Sequence, residues 1–203
     1  LDPNKPMVAL TFDDGPHSEN TEIILDVLKQ YNARATFFVV GYNAEANTDV
    51  LKKISDAGCQ IGNHTKDHSN LTELTDDEIK EEADYVDKIV KNVTGSPTTA
   101  LRPPYGAYSE RVQQILNKTP LIFWNVDTED WESLDKNKTA KAVISRVSDG
   151  NIVLAADRFI QKNTLRHEKH MRASRESVQQ IKEIPVGTRK AQYAYLAKVA
   201  EGC

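Results

Sequence analysis

Apolar residues along this chain fall into two kinds of stretch. Short runs that are almost continuously apolar, Met7 to Phe12, Ala35 to Val40, Cys59 to Gly62, Leu121 to Val126 and Asn151 to Leu154, have the length and composition of strands buried on both faces. Ala100-Leu101-Arg102 is a shorter run of the same kind that leads into Pro103-Pro104. Between them, apolar positions recur at helical spacing: Ile23, Ile24, Val27, Leu28 and Tyr31; Val50, Leu51, Ile54 and Ala57; Ile79, Ala83, Val86 and Val90; Val112, Ile115 and Leu116; Ala140, Val143, Ile144 and Val147. The punctuation agrees with this division. Asn20 or Thr21 is placed to cap the first helix, Thr48 begins the second and Gly58 stops it. Thr75-Asp76-Asp77-Glu78 has the capping-box pattern, Gly95 and Pro97 end the helix it opens, and Ser109 is placed to cap the next. Strands alternating with helices predict an α/β fold, a parallel sheet covered by helices in one barrel-like or doubly wound domain.

Beyond Asp157 the pattern degrades. Residues 158–173 are rich in Arg, Lys and His, Val178, Ile181 and Ile184 outline one helical face, and Tyr193, Tyr195 and Leu196 offer only a weak strand. Residues 1–157 are therefore expected to form the core domain and 158–203 an atypical tail.

Composition narrows the picture only a little. A chain of 203 residues with 39% hydrophobic and 28% charged residues suits one soluble domain with a sizeable core. No apolar run approaches a membrane span, and no signal peptide is visible. A start at Leu1 rather than Met suggests a mature form or an excised domain. A net charge of -4 argues against a nucleic-acid partner. Cys59, within an apolar run, reads as a buried thiol, and pairing with Cys203 is left open.

The candidate chemistry sits at the ends of the predicted strands. Asp13 and Asp14 follow the first strand and precede Gly15-Pro16, where a bend lets adjacent carboxylates take different roles. His64 and His68, after the third strand, have the i, i+4 spacing of a ligand pair. Parallel strands bring such residues to one face of the sheet. Two imidazoles and one carboxylate form the donor set of a catalytic zinc-type site with a position left open. A second carboxylate then has a use as general base, and Arg102, again at a strand end, could hold it ionised. Pro103-Pro104-Tyr105-Gly106 forces a rigid turn that could present a backbone N–H to an oxyanion. Asp127-Thr128-Glu129-Asp130-Trp131 adds carboxylates and a Trp suited to packing on a sugar ring or an acetyl methyl.

These residues, in this order, resemble the polysaccharide deacetylases of carbohydrate esterase family 4, the NodB-homology domain. Thr11-Phe12-Asp13-Asp14-Gly15-Pro16, His64-Thr65-Lys66-Asp67-His68, Arg102-Pro103-Pro104-Tyr105-Gly106 and Asp127-Thr128-Glu129-Asp130-Trp131 match the family's first four motifs. The resemblance implies a distorted (β/α) barrel of about seven parallel strands. It implies one divalent metal ion on Asp14, His64 and His68, most often zinc, with cobalt or nickel also used in the family. It implies Asp13 as general base tuned by Arg102, an oxyanion contact from the Tyr105 N–H beside Pro104, and Trp131 lining the acetyl pocket. Asp130 would orient a histidine of a fifth motif. The implied partner is an acetylated polysaccharide: peptidoglycan, chitin or O-acetylated xylan. Neither nucleic acid nor a membrane span is expected; a monomer is, in a secreted or cell-surface location.

The fifth motif is where the chain departs. The family pattern is an apolar strand ending in His-Asp, and here Ile152-Val153-Leu154-Ala155-Ala156-Asp157 carries Ala156 at the His position. Loss of that general acid implies impaired turnover, worse on an amide than on an ester, or a carbohydrate-binding domain that keeps its metal site. The unmatched tail has the form of an altered reading frame near Asp157, which translation in the other two frames tests, or of a divergence in which His167 or His170 loops back as the acid, which replacing each with Ala tests.

Overall fold

The computed structural model describes residues 7–157 apart from 118 and 134. The tail expectations and Cys203 lie outside the described residues. Five strands form one parallel sheet in the order β3-β2-β1-β5-β4: β1 (Ala9–Asp13), β2 (Thr36–Val39), β3 (Gln60–Asn63), β4 (Val126–Asp127) and β5 (Ile152–Ala156). The helices are α1 (Asn20–Gln30), α2 (Gly41–Ala46), α3 (Thr48–Asp56), α4 (Asp76–Thr94), α5 (Glu110–Ile115), α6 (Asp130–Ser133) and α7 (Lys136–Arg146).

The predicted strand Leu121 to Val126 does not form as one strand, and the reason is topological. Near its start, Leu101 N–H donates to Pro120 O (2.9 Å) and Ile122 N–H to Leu101 O (2.8 Å). Near its end, Asn125 N–H donates to Ile152 O and Thr128 N–H to Leu154 O, both at 3.2 Å. Arg102 N–H donates to Asn63 O at 2.8 Å, which joins the Leu101 segment to β3. One segment thus shifts between neighbours and closes the sheet into a distorted barrel, six segments around among the described residues.

Strand alternation sorts side chains between the two faces. Phe12, Phe37, Val39 and Ile61 pack outward with Val27, Leu28, Leu51, Ile54, Val86 and Val90, and the Phe12 and Phe37 rings stack at 5.3 Å. Burying each of these large side chains contributes roughly 1.5–3 kcal/mol. The inward layer pairs Asp13 with Phe38 on one side and Ala156 on the other, and Phe38 with Gly62. Gly62 is required sterically, because a Cβ there would overlap the Phe38 ring.

Local signals set the long helix. Thr75 Oγ1 accepts from Glu78 N–H, Glu78 Oε2 accepts from Thr75 N–H at 2.8 Å, and Gly95 closes α4 at φ 88°. Asn20 and Thr21 are not caps. They are the first residues of α1, and their side chains are buried against Asp157 instead. The short helix α2, with only Gly41 and Ala44 buried, lacks the apolar periodicity that would announce it.

Candidate active site

Asp13 ends β1, and the chain then turns through Asp14 at φ 71°. That left-handed residue is the bend that separates the two carboxylates. Asp13 Oδ1 accepts from Arg102 Nη1 at 2.7 Å, while its Oδ2 lies 3.8 Å from His64 Nε2. Arg102 is fully buried inside the barrel, an unusual place for a cation, and its surroundings account for it. It also donates to Thr11 Oγ1 (2.7 Å), Ile122 O (3.2 Å) and Phe123 O (3.4 Å), and it sits 4.2 Å above the Phe38 ring. Burial pushes the Asp13 carboxyl up to about 7, with Arg102 pulling it down and Asp14 adding to the rise. Arg102 does pair with Asp13, and desolvation outweighs that pairing. A carboxyl near neutrality is well matched to general-base work.

Asp14, His64 and His68 converge as expected. Asp14 Oδ1 lies 3.5 Å from His64 Nε2 and 3.3 Å from His68 Nε2. Each imidazole is turned by its other nitrogen. His64 Nδ1 meets Arg102 O at 2.7 Å, which makes Nδ1 the donor and leaves the Nε2 lone pair aimed at the cluster. His68 Nδ1 is 3.2 Å from the Tyr105 hydroxyl. Burial drives the His64 imidazole down to about 4, so it is neutral at pH 7. Asp14 Oδ1 is buried with no hydrogen-bond partner, an unusual state for a carboxylate oxygen. Two oriented imidazole nitrogens and an unpartnered carboxylate oxygen within 4.8 Å of one another fit a divalent cation.

The remaining candidates divide. Tyr105 belongs to the Pro104–Gly106 turn at φ 61°, with Pro104 buried and the Tyr105 ring 71% exposed against His68. Trp131 projects from α6 and is 49% exposed. Asp130 is buried, and burial pushes its carboxyl up to about 6. Its oxygens accept from the Ala156 backbone N–H at 3.1 and 3.3 Å, so Asp130 does address position 156. The partner it finds there is a peptide group rather than an imidazole.

Two supporting residues went unread in the sequence, and a third, Asp157, was read only as the end of the fifth motif. Asn63 and Glu82 are buried and bond the backbone between His64 and His68. Glu82 had a readable signal, a carboxylate at an inward helical position between Ile79 and Val86. Asp157, fully buried, takes the Thr21 hydroxyl on its carboxyl and the Asn20 amide on its carbonyl, and burial pushes its carboxyl up to about 7.

Residues 1–124 match the polysaccharide deacetylase family, and the chain belongs to it. It is 41% identical over 157 residues to the peptidoglycan-N-acetylglucosamine deacetylase PgdA of Listeria monocytogenes, covering 77% of this chain but only 33% of that protein. A solved structure described as T48 deacetylase with substrate superimposes with a TM-score of 0.84 at 34% identity, covering 96% of this chain and 94% of that one. A CE4 family pseudoenzyme from Bacillus anthracis superimposes at 0.79 with 28% identity, covering 90% and 62%. A mutant of that pseudoenzyme, at 30% identity and TM-score 0.79 over 90% and 64%, is described as having restored enzymatic activity.

Proposed function

We propose that this member of the polysaccharide deacetylase family is a metal-dependent hydrolase of acetyl groups on an N-acetylglucosamine polymer, of the peptidoglycan type, working with a reduced turnover. The observation that carries the reading is the buried, unpartnered Asp14 Oδ1 between two oriented imidazoles, directly beside the Asp13–Arg102 pair. The names of relatives such as the Listeria enzyme favour peptidoglycan over chitin or acetylated xylan. Because the chain spans a third of that protein, the whole protein's substrate is part of the proposal. We assign the chemistry to residues 1–157, and a secreted or cell-surface monomer fits a polymeric substrate.

A divalent ion held by Asp14, His64 and His68, with zinc the first choice and cobalt or nickel next, would supply Lewis acidity that polarises a carbonyl and acidifies water. Asp13 Oδ2, the oxygen not taken by Arg102, accepts the proton as water attacks the acetyl carbon. Arg102 fixes the direction of that carboxylate. The Tyr105 turn offers its backbone N–H to the developing oxyanion, and Trp131 borders the acetyl group. Among the described residues, the step that lacks a residue is protonation of the leaving group. Ala156 is in register with Asp13 and so faces the same side of the sheet, where its methyl has no proton to give.

The test is acetate release from peptidoglycan, chitooligosaccharides and acetylated xylan, with zinc or cobalt added and with a chelator. Slow, chelator-sensitive release supports the reading, and chelator-insensitive release refutes it. Ala156 also favours a second reading, a metal-retaining carbohydrate-binding domain, in line with the pseudoenzyme among its structural relatives. Polymer binding with no acetate from any substrate selects that reading.

A further inference from the structure

The backbone between the two histidines has an unusual support. Each N–H from Thr65 to His68 is taken by a side chain rather than by a strand or helix partner. Thr65 N–H donates to Asn63 Oδ1 (2.9 Å) and His68 N–H to Thr65 Oγ1 (3.1 Å). Lys66 and Asp67 N–H both donate to Glu82 Oε2, at 2.9 and 3.3 Å. On the carbonyl side, Thr65 O accepts from Gly41 N–H (2.9 Å) and Lys66 O from Tyr42 N–H (3.0 Å). Gly41 leaves no space to spare, since a Cβ there would lie 2.9 Å from Lys66 Cα. Thr65 and His68 are both held at φ 68°, a conformation that β-branched and bulky residues avoid unless their surroundings impose it.

Glu82 differs from the other supports. Asn63 and Thr65 act on their own neighbours, whereas Glu82 reaches the middle of the loop from α4 and is itself buried. Nothing in the proposed chemistry uses its carboxylate. A buried carboxylate that spends one oxygen on two successive peptide N–H groups is a clamp on backbone geometry. We infer that Glu82 is a positioning residue for the metal centre: by clamping Lys66 and Asp67 it sets where His68 stands relative to His64. The inference rests on reading Asp14, His64 and His68 as the metal site.

The experiment is titration of the full chain with Co2+, read by visible absorption, by competition with a chromophoric chelator and by the rate of loss into excess chelator. Glu82→Ala and Glu82→Asp, whose shorter arm withdraws the acceptor, are expected to weaken Co2+ binding by roughly 10–100-fold and to alter the absorption band. Glu82→Gln keeps an oxygen in place and is expected to restore most of the affinity. Val90→Ala truncates the core on the same helix and is expected to lower the melting temperature without moving Co2+ affinity. If Glu82→Ala does not fold, Glu82→Asp carries the comparison. Unchanged affinity and absorption in folded Ala and Asp variants, or an equal loss in Val90→Ala, overturns the inference. If the parent chain and His68→Ala bind Co2+ alike, the metal-site reading fails instead, and the role of Glu82 with it.

Discussion

Replacing Ala156 with His places an imidazole in register with Asp13 and next to a buried carboxylate, Asp130, that already addresses this position. Asp130 has two oxygens within 3.3 Å of the 156 N–H, so it can keep that hydrogen bond on one and accept from an imidazole on the other. Its buried setting makes the pairing strong, and a paired imidazolium is an acid that the described residues do not otherwise offer the leaving group. General acid catalysis contributes roughly 10²–10⁴-fold, which corresponds to about 3–5 kcal/mol of barrier. Ala156→His is therefore expected to raise kcat/KM by that order on an N-acetylated oligosaccharide. The gain is expected to be smaller on an acetate ester, whose alkoxide leaves more readily than an amine. Adding Asp130→Asn should remove most of the gain. The assay is initial-rate acetate release at matched metal content, with Ala156→Asn as a polar control that cannot act as the acid. A folded, metal-loaded Ala156→His with unchanged amide kinetics, or an equal gain from Ala156→Asn, refutes the reasoning.

Other consequences come from the barrel interior. Arg102→Ala leaves Asp13 buried without its cation and is expected to lower unfolding free energy by roughly 3–5 kcal/mol in a denaturant titration. Arg102→Lys is expected to recover only part of this, because one ammonium cannot reach Asp13, Thr11 and the Ile122 and Phe123 carbonyls together. Gly62→Ala is expected to cost about 1–3 kcal/mol by overpacking the Phe38 ring, and a paired Phe38→Leu should return part of that. Asp157 has its folded pKa raised, by burial, from 3.8 to about 7, so its contribution to stability is present below pH 4 and is lost as pH rises toward 7. Asp157→Asn keeps an acceptor for Thr21 without the charge. Relative to the parent chain it is expected to gain up to about 4 kcal/mol between pH 4 and pH 8, and a gap that does not widen with pH counts against a buried, mostly neutral Asp157.

Much of this architecture is legible one residue at a time. Thr75-Asp76-Asp77-Glu78 opened α4 and Gly95 closed it, because capping is settled within a single turn of chain. Asn20 and Thr21 had the chemistry of caps and a different use, since the competing partner, Asp157, comes from the end of β5 and is 137 residues distant from Asn20. The run Leu121 to Val126 has one composition but two sets of neighbours, and no local pattern records where a barrel closes.

The site divides along the same line. The residue types and their place at strand ends were set by the sequence, because a parallel sheet delivers all its C-terminal ends to one face. Only the tertiary structure decided the separation of the two carboxylates, by holding Asp14 at a positive φ, and the balance at Asp13, where burial beats the arginine. It alone showed Glu82 reaching across from α4 to a loop it does not adjoin in sequence. Dihedral strain, desolvation and long-range hydrogen bonds depend on the groups packed around a residue in space, whereas a motif holds only the order of neighbours along the chain.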